Sequence, residues 1–286
     1  MTELTNRALL VSLQISQWAA RKMDRKETAE LALKHGTMSE VARVNKSLLP
    51  MAAALDAINK KTGQIRWLYY NNSLPWGQEG INVISTSGYM EFVAMMSEAM
   101  NEWRALVKDF LAVYPQLRED ARLVLNGMYR EEDYPSPSEL ARKFSIDVRF
   151  MPVPAEGDWR VELADDEIER LRAKTVEDLR ESQHVAMRDV WKRVHEVVEH
   201  AVSKLSGDPK YLRESLVANA LQMCKTMTIL NIAQDPDLER IRHDIEGALA
   251  GHTSEGLRAD PVARVVTVTK MQDIMAKMGG LYTATS

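Results

Sequence analysis

One apolar period running for some forty residues constrains this chain more than any other feature. Apolar residues recur at Ile168, Leu171, Leu179, Ala186, Val190, Val194, Val197, Ala201 and Leu205, an average step of about 3.7 residues, close to the helical repeat. The spacing predicts a single helix of about 40 residues, roughly 60 Å long. Asp165-Asp166-Glu167 place negative charge at its start, where the helix dipole favours it. Gly207-Asp208-Pro209 turns the chain back, and a return helix presents Leu212, Leu216, Ala220, Met223 and Met227 as its stripe. After Asp235-Pro236 a further helix reaches Ala250.

Ahead of this hairpin the period changes several times. Leu10 to Ser16 alternates apolar and polar, a half-buried strand running into Trp18. Two short helical stretches follow, Arg25 to Lys34 and Thr37 to Lys46, separated by Gly36. Pro50 suits the first turn of the next helix, which ends at Asn71-Asn72. The stretch from Ser73 to Ser87, with Pro75, Gly77 and Gly80, reads as an irregular loop. A helix from Gly88 to Val113 follows, and Pro115 is expected to restart another that runs to Tyr129. Ile146, Val148 and Phe150, then Trp159, Val161 and Leu163, alternate with polar residues and predict a β-hairpin. Three strands near 9–17, 145–152 and 158–163 would make a small three-stranded antiparallel sheet. The expected fold is therefore α+β and predominantly α-helical, with a long antiparallel helical hairpin beside that sheet. Residues 1–250 read as a single mainly helical domain, and 251–286 as a linker and C-terminal helical tail. In the tail, Met271, Met275 and Met278 with Val268 fit either an adaptable core or a docking face.

Catalytic chemistry finds no foothold. There is no phosphate-cradling glycine motif, and the single cysteine, Cys224, has neither a CxxC partner nor a base beside it. His195 and Glu199 can share a helix face, but one such pair is usually a solvated ion pair. The expectation is a protein that is not an enzyme and has neither cofactor nor metal. No eighteen-residue apolar run or secretory leader is visible, so a membrane role is not expected, and one cysteine suits the cytoplasm.

The functional signal lies in Lys60–Gly80, which packs two Trp, two adjacent Tyr and three basic residues. A helix through it gathers Ile58, Ile65, Leu68 and Tyr69 on one side. Trp67 falls about 200° from Ile65, close to Lys60 and Gly63, with Tyr70 beside them. Rings beside cations suit the stacking of unpaired bases, although a helix buried on two sides would give the same pattern. Trp18 is followed by a second basic cluster, Arg21, Lys22, Arg25 and Lys26. Residues 1–76 hold 11 Lys/Arg against 6 Asp/Glu, while 77–257 hold 22 against 33. A basic front on an acidic body favours a localised track for a polyanion over wrapping. The candidate track has Trp67, Tyr70 and Trp76 stacking bases, and Arg21, Lys22, Lys60, Lys61 and Arg66 holding phosphates. No signature of sequence-specific duplex readout accompanies it.

Several landmarks occur together: Trp18-Ala19-Ala20-Arg21-Lys22, Leu74-Pro75-Trp76-Gly77, Phe110 with Tyr114-Pro115, Phe150-Met151-Pro152, Trp159-Arg160-Val161, and Leu230-Asn231 before Asp235-Pro236. Their order over residues 9 to 250 resembles a group of mainly helical proteins of tailed bacteriophages. Some of that group lie beside genes for MoxR-like AAA+ ATPases and von Willebrand A-domain proteins, which implies an adaptor role. In size and helical style only, the chain is also similar to the single-stranded-DNA-binding RNA polymerase cofactor of certain podoviruses. The resulting expectation is a phage-encoded, non-enzymatic single-stranded-DNA-binding protein of the host cytoplasm that assists viral transcription or replication. Its partners would be single-stranded DNA, a viral RNA polymerase or AAA+ ATPase, and a second copy of itself. The alternative is a protein-binding adaptor, for example for an AAA+ ATPase, or another phage structural protein.

Overall fold

The computed structural model describes residues 2–77, 79–155 and 164–284. In chain order these form α1 (Thr2–Arg7), β1 (Ala8–Ser16), β2 (Arg21–Met23), α2 (Arg25–His35), β3 (Asn45–Ser47) and α3 (Ala53–Asn71). Then come β4 (Leu74–Pro75), β5 (Asn82–Ser85), α4 (Tyr89–Leu125), α5 (Pro137–Arg142) and β6 (Ser145–Pro152). The chain ends in α6 (Asp165–Ser206), α7 (Ser215–Leu230), α8 (Pro236–Leu249), α9 (Ser254–Ala259) and α10 (Pro261–Ala284). The protein is predominantly α-helical with a small antiparallel sheet, as the periods predict. The chain divides into two compact units, residues 1–13, 68–94 and 148–286 forming the larger and 14–67 with 95–147 the smaller.

In the larger unit α6 packs on α7 and α10, and α8 on α7 and α10. The periodic stripe explains why: Val190, Val194, Val198, Ala201 and Leu205 of α6 are all buried in one apolar core with Trp191. Asp235 ties the bundle together by capping the amides of Asp237 and Leu238 and accepting from Trp191 Nε1 at 3.2 Å. Cys224 is fully buried on α7, its thiol donating to the Arg242 carbonyl at 3.8 Å, and burial pushes that thiol up to about 12. The C-terminal helix runs through Gly279-Gly280 to Ala284. Its Met271, Ile274 and Met278 lie in the same core, because the return face of the bundle would otherwise be bare.

The sheet differs from expectation. Its strand order is β4-β5-β1-β6, and Ala8 to Val11 pair antiparallel with Ser85 to Asn82. The stretch read as an irregular loop thus contains two short strands, with β5 buried along its whole length. The second hairpin strand expected near 158–163 lies outside the described residues. Arg193 of α6 donates to the carbonyls of Tyr70 at 2.9 Å and of Asn71 and Ser73 at 3.2 Å, serving carbonyls at and just past the C-terminal end of α3 that the helix itself cannot satisfy.

In the smaller unit α3 lies along α4 through a chain of hydrogen bonds. Trp103 Nε1 donates to Thr62 Oγ1 at 2.9 Å, Thr62 Oγ1 to Gln17 Oε1 at 2.8 Å, and Gln17 Nε2 to Asn59 Oδ1 at 3.0 Å. Phe110, Tyr114, Phe144 and Trp103 form an aromatic core, Phe110 and Phe144 with ring centroids 5.7 Å apart. Pro115 does not end a helix: α4 runs through it. A proline inside a helix costs about 3 kcal/mol, and buried Phe110, Tyr114 and Ala121 on either side hold both halves to one face. The helix expected over 37–46 is also absent. After the left-handed Gly36 cap the chain turns into β3, with the Val44 amide held by Thr28 Oγ1 at 3.0 Å.

A glycine sets one close approach in the larger unit. A Cβ on Gly88 would lie 2.3 Å from Ile229 Cγ2, so the start of α4 meets α7 only without a side chain. Gly88→Ala should lower stability by about 1–3 kcal/mol, measured by urea unfolding, and combining it with Ile229→Ala, which removes the Cγ2 methyl that the new Cβ meets, should cost less than the sum of the two single losses.

Candidate nucleic-acid interface

The exposed side of α3 in the smaller unit follows from what its other side buries. Leu55, Ile58, Thr62 and Ile65 face inward, which turns Lys60, Gly63, Arg66 and Trp67 to solvent. Trp67 is 63% exposed. Gly63, one turn before it, has nothing within 4 Å of where a Cβ would stand. No side chain, the indole included, covers that turn, so the surface one turn before Trp67 is open. Neither Lys60 nor Arg66 is engaged in an ion pair among the described residues, and both are exposed.

Other members of the predicted set fare differently. Lys61 is largely buried and ion-paired with Glu102 of α4, so its charge is already answered. Arg21 is exposed on β2. Lys22 is half exposed and donates to Asp133 Oδ1 at 2.6 Å. In the larger unit Tyr70 is 54% exposed, its ring edge-on to Tyr69 at 5.2 Å. Trp76 is only 6% exposed and belongs to the apolar core of that unit. It cannot present a face to a base, because β4 seats it against the bundle, where its amide donates to the Ile81 carbonyl.

A buried ionic cluster was not foreseen. Lys46 has a side chain only 4% exposed, on β3 directly opposite Lys22 of β2. Its ammonium lies 2.8 Å from Asp133 Oδ2 and 3.6 Å from Asp24 Oδ2, and donates to the Met128 carbonyl at 2.8 Å. Asp24 also caps α2, accepting from the amides of Lys26 and Glu27. Those amide bonds, the Glu27 amide foremost, and the Lys46 charge hold its carboxyl below the ordinary value. Burial alone would raise Asp133; hydrogen bonds from Lys22 and Lys46 outweigh it and hold that carboxyl below the usual range. Alternation over β3 is too short to mark Lys46 as inward, and its two aspartates lie far apart in the chain.

No family model matches this chain, and neither does any curated protein or solved structure. Function must be argued from its own residues. Among the described residues, no three His, Cys, Asp or Glu side chains are placed to hold a metal ion. No helix there is long and apolar enough to cross a membrane.

The ionic cluster gives a pH dependence of definite sign. Because the folded-state carboxyl of Asp133 is depressed, its stabilisation is present above the unfolded value of about 4 and is lost as pH falls through the lower folded value. Asp133→Asn should cost about 3 kcal/mol near neutral pH, the low end for one partner of a buried pair, since Asp24 still faces Lys46. Urea unfolding as a function of pH should show the gap between variant and parent narrowing below about pH 4.

Proposed function

We propose that this chain is a non-enzymatic protein that binds single-stranded DNA, with Trp67 stacking a base while Lys60 and Arg66 meet the flanking phosphates. The observation that carries the reading is the exposed Trp67 indole, one turn beyond the uncovered Gly63 on a helix whose exposed side also carries the unpaired cations Lys60 and Arg66. A large ring left in water with its surroundings cleared is not explained by packing. A base stacked on it would contribute about 1–3 kcal/mol without regard to sequence. The wider role, assisting transcription or replication of a phage in the host cytoplasm, belongs to the same proposal; phage origin rests on the resemblance in landmark order, and the assisting role on the looser likeness in size and helical style.

Fluorescence anisotropy with labelled oligonucleotides tests it. The single strand should bind more tightly than the duplex, and the affinity should fall with salt. Trp67→Ala should weaken binding about tenfold or more, and Lys60→Ala should reduce the salt slope by about 0.7. Gly63→Leu should also weaken binding while leaving the protein at least as stable, because it only fills open space one turn before the ring. Equal binding by parent and Trp67→Ala would remove the stacking reading.

An adaptor role is the second reading, favoured by Val262, Val265 and Val266, which are exposed on α10 while its methionine side is buried. Val265→Glu should then abolish binding to a MoxR-like AAA+ ATPase in sedimentation, and leave DNA binding unchanged.

A further inference from the structure

A second basic feature of the smaller unit is a cavity of about 300 Å³ bounded by β2, the first turn of α2 and the turn at 130–133. Its floor is the ionic cluster, and the formal charges there already cancel. Lys22 and Lys46 meet Asp133, and Lys46 with two backbone amides meets Asp24. What remains on the wall is Arg25, Lys26 and Arg130 against Glu132. Neither Arg25 nor Arg130 makes a side-chain hydrogen bond or ion pair among the described residues. Lys22 spends one of its three N–H groups on Asp133, and its side chain is half exposed.

These cations are costly where they stand. Arg25 and Lys26 open α2, at the end of the helix where the dipole disfavours positive charge and where acidic residues normally stabilise. Lys26 is answered one turn on by Glu30 at 3.8 Å, but fold stability gives no such reason for Arg25, and a local rule broken without structural compensation points to a ligand. Their backbone is nonetheless fixed. Arg25 follows the Asp24 cap directly, and Arg130 precedes the turn whose Asp133 is bound by two lysines. Two guanidinium forks and an ammonium on a fixed frame match the oxygens of a phosphate group, which takes charge-assisted, bidentate hydrogen bonds. The cavity has the volume for a nucleotide-sized molecule rather than for a bare ion alone.

We propose that this cavity binds a phosphate monoester, with Arg25 and Arg130 gripping the phosphate and Lys22 assisting from β2. The chemistry is shared by a free mononucleotide and by the phosphorylated end of a nucleic-acid strand. The site is separate from the Trp67 face and does not depend on it.

Thermal unfolding and calorimetry in the full chain test the proposal, with adenosine monophosphate, inorganic phosphate and adenosine as probes at millimolar concentration. The monophosphate should raise the melting temperature and bind saturably, while adenosine should do neither. Arg25→Ala and Arg130→Ala, both exposed and expected to fold normally, should each weaken binding about tenfold. In a Trp67→Ala background the monophosphate should bind unchanged, which separates this site from the stacking face. A 5′-phosphorylated oligonucleotide binding more tightly than its 5′-hydroxyl counterpart in that background would assign the site to a strand end. Equal binding of the two, with the monophosphate still bound, would assign it to a free nucleotide. The proposal is overturned if adenosine protects as well as the monophosphate, if no phosphate compound binds, or if binding survives the paired Arg25→Ala and Arg130→Ala substitution.

Discussion

An ammonium group shut away from water must be answered by its surroundings, and Lys46 imposes that demand on the smaller unit. The antiparallel ladder sets it opposite another lysine, an arrangement that repels unless a carboxylate stands between them. Asp133 supplies that carboxylate from a turn 86 residues away from the partner strand's end at Ser47, and Asp24 closes the cluster while capping α2. One charge thereby fixes a ladder, a helix start and a turn in mutual position. Replacing such a cluster with apolar residues is often neutral for stability, whereas removing one member is not. Its worth here is in placing the neighbouring arginines.

Much of the architecture was readable in the amino-acid order because some signals are redundant. The stripe of α6 repeats many times, so no single residue decides it, and Asp235-Pro236 and Asp208-Pro209 mark helix or turn starts by their own chemistry. Short elements lack that redundancy. Two to four residues of β3, β4 or β5 cannot establish a period of two, and their partners lie elsewhere in the chain. Pro115 misleads for a different reason: the local penalty is real but is outweighed by aromatic burial on both sides. At the candidate interface, helical geometry alone separates Trp67 from the buried stripe. The fates of Trp76 and Lys61 were hidden, because one is decided by the bundle beneath β4 and the other by Glu102 on another helix.

Two places in the smaller unit run against helix stability without any packing reward. Gly63 sits in the middle of α3 where almost any other residue would hold the helix better. Arg25 and Lys26 set positive charge at the positive end of α2. Both choices are weak individually, on the order of 1 kcal/mol or less. Gly63 leaves its surface uncovered, and of the two cations only Lys26 is paired, with Glu30 one turn on.

The burial of Cys224 has a practical corollary. Its thiol is raised well above neutral, is covered on all sides and is the chain's sole sulfhydryl. An alkylating reagent can reach it only when α7 and α8 part, so the labelling rate under native conditions becomes a clock for opening of that helix pair. The larger unit thus carries its own reporter of local unfolding, at a single position and without any engineered probe.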